Sequence, residues 1–184
     1  MCIRDSTWTV VGPIITRLKP TSGPGAAGKR VKISGSGFSG ATSVMFGSVT
    51  ATSFTVNSKG TTITAIAPAH AAGTVNVVVN TPSGPTIVTS ADQYTYLGPS
   101  ITAVSPDSGP LAGGNKIRIT GAGLYGATSV MFGSVAATTF KPDSRGTRMT
   151  VTVPAQGAGT VNIVITTPGG VSTTTSTDQY TYNP

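Results

Sequence analysis

Glutamate is absent from this chain, and so is any second cysteine. The 184 residues hold one cysteine, one histidine, one tryptophan and five acidic residues, all aspartate. A lone Cys2 excludes an intrachain disulfide, so the fold rests on its core alone. One histidine and one cysteine cannot supply the three or four ligands of a zinc site. Five scattered aspartates do not make a calcium cage of six to eight oxygens. General acid–base work wants two carboxylates or a histidine beside its partner, and no serine–histidine–acid set can be assembled in duplicate. The chain therefore reads as non-catalytic, without metal or cofactor. Charged residues are only 9 % and aromatics 6 %. Mean hydropathy is slightly positive, too apolar for a disordered chain. No run approaches the ~20 apolar residues of a membrane span.

What charge there is has one sign. Twelve Lys and Arg against five Asp give a net charge of +7. Such a surface attracts polyanions. The cations are scattered, however, with no run longer than two, and the plainer reading is a polar-poor surface kept soluble by net charge.

The ten residues GATSVMFGSV occur at Gly40 to Val49 and again at Gly126 to Val135. At that offset of 126 − 40 = 86, AGTVN (Ala72 to Asn76) meets Ala158 to Asn162, and DQYTY (Asp92 to Tyr96) meets Asp178 to Tyr182. No gap is needed. Two equal domains in tandem follow, over 12–97 and 98–184. Residues 1–11 read as a suspect leader plus the remnant of a preceding repeat: MCIRDS resembles translated adapter carry-over, and Trp8-Thr9-Val10 sits where Tyr94-Thr95-Tyr96 sits one repeat later. A fragment of a longer array is expected. The four-residue link LGPS predicts limited swing.

Thr and Ser alternate with Val, Ile and Ala, the period of strands. Val31 and Ile33 turn one way and Arg30 and Lys32 the other; Ile117 and Ile119 repeat this against Lys116 and Arg118. Val44 and Phe46, Ile63, Ala65 and Ala67, and Val75, Val77 and Val79 are further inward positions, with Val130, Phe132, Met149, Val151, Val153, Val161, Ile163 and Ile165 in the second copy. Gly and Pro clusters break each run. The result is all-β: two antiparallel sandwiches of immunoglobulin type, about seven strands each, without the Cys, Trp, Cys pattern of antibody domains.

Two glycine motifs are decoys. GPGAAGKR (Gly23 to Arg30) nearly spells a phosphate loop, but Arg30 replaces the hydroxyl and a strand follows. GSGFSG (Gly35, Gly37, Gly40) and GAGLYG (Gly121, Gly123, Gly126) match a dinucleotide fingerprint, yet strands rather than helices come next. These glycines are read as supplying positive φ.

The polar candidates are few. His70 becomes Gln156 in the second copy and reads as a solvated turn residue; Asp107 and Asp143 have Thr21 and Asn57 as their counterparts in the first copy. An intramolecular Lys–Asn crosslink needs a buried acid, and none is evident at inward positions. The outward stripe of Arg30, Lys32, Lys116 and Arg118 is the candidate binding surface, able to contact a polyanion. Its competitor, which the residues favour, is a solvated strand whose cations guard a sheet edge.

The spaced motifs together resemble the IPT/TIG domain: SPDSGPLAGG (Ser105 to Gly114), the GAG turn, VMFG, VPA, GTVNIVITTPGG (Gly159 to Gly170) and the closing YTY. The first copy matches with KPTSGPGAAG, GSGF, VMFG, APA, GTVNVVVNTPSG and YTY. The resemblance covers Gly12 to Tyr182 and implies an early-set immunoglobulin-like fold with no shared catalytic residues. It implies a bacterial extracellular or cell-surface array serving as spacer, adhesion or protein-interaction module, with a protein or glycan partner. Two alternatives stand beside it. One is a carbohydrate-binding accessory module of a secreted hydrolase, for which Tyr125 and Trp8 are the aromatic candidates. The other is a nucleic-acid-binding domain, prompted by a pI near 9.9.

Overall fold

The computed structural model describes residues 12–184. Cys2, Trp8 and the leader lie outside them. The first repeat forms β1 (Ile14–Lys19), β2 (Ser22–Pro24), β3 (Arg30–Ser36), β4 (Ser43–Phe46), β5 (Val49–Thr50), β6 (Ser53–Val56), β7 (Thr62–Ile66), β8 (Gly73–Thr81), β9 (Gly84–Pro85) and β10 (Gln93–Leu97). The second repeats the plan in β11 (Ser100–Ser105), β12 (Ser108–Pro110), β13 (Lys116–Ala122), β14 (Ser129–Phe132), β15 (Val135–Ala136), β16 (Phe140–Pro142), β17 (Arg148–Thr152), β18 (Gly159–Thr167), β19 (Gly170–Val171) and β20 (Gln179–Asn183).

Each repeat is a sandwich. One sheet has the order β1-β3-β7-β6, and the other β2-β10-β8-β4-β5 with β9 on β8. The second repeat follows as β11-β13-β17-β16 and β12-β20-β18-β14-β15 with β19 on β18. Seven strands carry the body of each sandwich, as the alternation predicts. The additional segments are pieces of two or three residues. One pairing departs from the antiparallel expectation: β2 runs parallel to β10, and β12 parallel to β20.

Alternation places the core. Val31, Ile33, Val44, Phe46, Ile63, Ala65, Val77 and Val79 are fully buried, as are their second-copy partners to within 1 %. Val75 and Val161, expected inside, are only half-buried, toward the start of β8 and β18. Few as the aromatics are, Tyr94, Tyr96, Tyr180 and Tyr182 are among the largest buried side chains. Phe132 stands edge-on to Tyr180 at 5.6 Å, and Tyr180 to Tyr182 at 5.0 Å.

These phenols make the fold sensitive to base. Burial pushes the Tyr94 hydroxyl from 10.0 up to about 12. Tyr182, desolvated and beside Tyr180, also rises to about 12. Unfolding returns each to its ordinary value, so the contribution is complete below pH 10 and vanishes as pH rises through 12. Tyrosinate absorbance is expected to rise together with loss of the β-sheet circular dichroism signal between about pH 10 and 12. Ionisation of every tyrosine near pH 10 with the sheet signal intact would refute this.

The glycine motifs divide into two jobs. Gly37, Gly40, Gly123 and Gly126 do adopt positive φ, between 65° and 75°. Gly35 and Gly121 do not, which corrects the expectation for them. They sit opposite a register shift in the neighbouring strand, at Ile15/Arg17 and Ile101/Ala103. A Cβ there would run into the carbonyl oxygen of Ile14 or Ser100. Only hydrogen fits against the bulged strand.

Candidate functional site

The acids are largely committed to structure. Asp92 and Asp178 are completely buried, which overturns the expectation that no acid lies inside. Each is the third residue of a short 3-10 turn and completes its capping box. Its Oδ2 accepts the N–H of Thr89 or Thr175 at 2.6 Å, while its Oδ1 has no hydrogen-bond partner among the described residues. The signal was legible: Thr89-x-x-Asp92 and Thr175-x-x-Asp178 are capping-box spacings. The crosslink still has no lysine, since Lys19, Lys29, Lys32, Lys59, Lys116 and Lys141 are all exposed.

Asp143 holds the β16–β17 turn. Its Oδ1 accepts the N–H of Thr147 at 2.8 Å and of Arg148 at 3.2 Å, and its Oδ2 the Thr147 hydroxyl at 3.1 Å. Slight desolvation pushes its carboxyl up, but these bonds outweigh it and hold the carboxyl below the usual value. Asn57 does the same work in the first repeat, accepting from Thr61 and Thr62. His70 is not simply solvated: half-buried, it stacks on Tyr96 at 4.9 Å with 19° between the rings. Among the described residues no group of three His, Cys, Asp or Glu is placed to hold a metal. No described helix is long and apolar enough to cross a membrane.

Arg30, Lys32, Lys116 and Arg118 are all exposed, each pair on the outer face of its own four-stranded sheet. They guard no edge. β3 lies between β1 and β7, and β13 between β11 and β17, so the edge-protection reading fails. The register adds cations that the strand pattern alone missed. In the first sheet Lys19 lies opposite Lys32, with Arg17 nearby on β1. In the second, Arg118 lies opposite Thr150, which lies opposite Lys141, and Arg148 opposite Thr120. Two shallow hollows of about 330 and 270 Å³ meet there, sharing Lys141 and Thr150. Their positions were open to inference from the hairpin around Asp143 to Gly146, which pairs Lys141 with Thr150.

Of the aromatic candidates, Tyr125 is 45 % exposed and Trp8 lies outside the described residues.

Comparison with known proteins agrees with this architecture. The family model described as IPT/TIG domain matches twice, over residues 13–96 and 99–182. Human fibrocystin-L is 27 % identical over 180 residues, which is 96 % of this chain but 4 % of that protein. A crystal structure described as being with xylogluco-oligosaccharide superposes at a TM-score of 0.52 with 21 % identity, covering 92 % of this chain and 40 % of the other. The plexin A4 extracellular region superposes at 0.49 with 20 % identity, over 94 % of this chain and 18 % of that one. The chain thus spans less than half the length of each of these relatives, and the oligosaccharide-bound structure speaks to the fold alone. Matched nearly end to end by two successive copies, the chain belongs to the IPT/TIG family, as two tandem immunoglobulin-like domains.

Proposed function

We propose that the chain is a non-catalytic segment of a bacterial extracellular or cell-surface array, acting as spacer and as adhesion or protein-interaction module. The parallel pairing that recurs in both repeats carries the reading. β2 joins β10 through Ser22–Thr95, Gly23–Tyr96 and Pro24–Leu97, and β12 joins β20 through Ser108–Thr181, Gly109–Tyr182 and Pro110–Asn183. One strand of each pair lies near the start of its repeat and the other at its end. Tension applied through the chain ends slides parallel strands past each other. All their hydrogen bonds are then strained together rather than opened one at a time, which suits a spacer under pull. The duplicated framework supports the same reading: buried tyrosines and capping boxes recur, while loop chemistry such as His70 against Gln156 does not.

Single-molecule pulling through the chain ends tests it. The expected trace has two abrupt events, each lengthening the chain by roughly 30 nm, as about 80 residues straighten at about 3.5 Å apiece. Gradual extension without steps would refute a spacer role.

Tyr125 supports a second reading, as a carbohydrate-binding accessory module, because an exposed ring offers a platform to a sugar face. Native gels cast with xyloglucan would retard the protein on this reading, and Tyr125→Ala would abolish the shift. Unshifted migration of the parent protein favours the spacer.

A further inference from the structure

We propose that the outer face of the β11-β13-β17-β16 sheet binds an acidic polysaccharide, a glycan chain bearing sulfate or carboxylate groups, around Thr150. Register gives the geometry. Arg118 and Lys141 flank Thr150 directly, two strand spacings or about 10 Å apart. Arg148 lies two residues along β17 from Thr150, and Lys116 two residues along β13 from Arg118, each a step of about 7 Å. All four are exposed, and their long side chains reach over the two hollows that share Lys141 and Thr150. Hydroxyls stand among them: Thr150 itself, and Thr139, which donates to Thr152 at 2.7 Å. A sugar hydroxyl finds both donors and acceptors in such groups.

Charge complementarity selects the occupant. Asp143 borders one hollow, but its two oxygens are engaged by Thr147 and Arg148 of its own turn. Clustering like charges on one sheet face is unfavourable by itself. The fold does not require it, because the first repeat builds the same strands with Thr55 and Thr62 where Lys141 and Arg148 stand. Nucleic acid fits less well. The one aromatic residue lining the hollows, Phe140, is half-buried and packs against the core, leaving no ring for the bases of a single strand to stack on, and the duplex in the test below stands for phosphate contact alone. The inference goes beyond the spacer reading and does not depend on it.

The test uses the full chain on surfaces carrying dextran sulfate, polygalacturonate, neutral dextran or a 30-base-pair duplex, at stepped salt. Two double variants remove the same charge: Lys141→Thr with Arg148→Thr, which copies the first repeat, and Arg30→Thr with Lys32→Thr. Binding to at least one acidic polymer and none to neutral dextran is expected. The Lys141/Arg148 variant should lose about tenfold in affinity at low salt and show a shallower salt dependence by about two ions. The Arg30/Lys32 variant should change less than about twofold, because neither residue belongs to the proposed site. No binding to either acidic polymer, equal losses in both variants, or tighter binding to the duplex would each overturn the proposal. Unchanged thermal melting of both variants shows that the sandwiches are intact, and unchanged binding by the Lys141/Arg148 variant overturns the site.

Discussion

Replacing Phe132 with alanine is expected to destabilise the protein by about 3–5 kcal/mol. Phe132 is completely buried at the end of β14, paired with Ile163 of β18 and edge-on to Tyr180. It packs in one cluster with Val130, Ile163, Ile165, Tyr180 and Tyr182. Removing the ring loses its transfer free energy and leaves a cavity that strands on both sheets cannot close. The aromatic pair contributes about 0.5–1.5 kcal/mol beyond area. Met131, one position earlier, turns to the other face of β14 and is only half-buried. Met131→Ala should therefore cost less than half as much. Urea unfolding of the full chain, followed by near-ultraviolet circular dichroism, measures both. A loss below about 1 kcal/mol at Phe132 would show that its ring does not anchor the core.

Gly121→Ala is the second large effect, and sequence alone gives no hint of its size. A single methyl group is added at a strand position with ordinary φ, where alanine is usually harmless. Here the methyl meets the Ser100 carbonyl oxygen, with the Ser100 carbon at 3.0 Å and the Ile101 Cα at 3.3 Å. All three belong to backbone, so no side chain can rotate away. β11 must separate from β13 at its bulge, at a cost of about 3 kcal/mol. Gly157→Ala is the matched control, since nothing lies within 4 Å of its would-be Cβ and its φ is not positive. The same unfolding experiment should show a large drop in midpoint for the first and a shift within about 0.5 kcal/mol for the second. Equal behaviour of the two would mean that β11 and β13 are not so closely apposed.

Much of this architecture was readable from local pattern. Period-two alternation identified Val31, Ile33, Val44, Phe46 and their second-copy partners as core, because a strand has only two faces and one must leave water. The 86-residue offset announced two domains before any strand was assigned. The limits are equally physical. The stripe of Arg30, Lys32, Lys116 and Arg118 was correctly read as outward, but its place in the sheet was not, since alternation does not reveal which strands flank a strand. The edge interpretation failed on that point.

The sequence by itself determined fold class, repeat number, strand faces and the scarcity of catalytic groups, because each follows from residue type and short-range spacing. Tertiary structure alone decided which cations share a face. The β16–β17 hairpin sets Lys141 beside Thr150, but only the pairing of β13 with β17, more than twenty residues apart, brings Arg118 to its other side, and no local pattern encodes that. It also decided that Asp92 and Asp178 are buried and that Gly121 tolerates no side chain. Burial and close approach are properties of what another part of the chain places nearby.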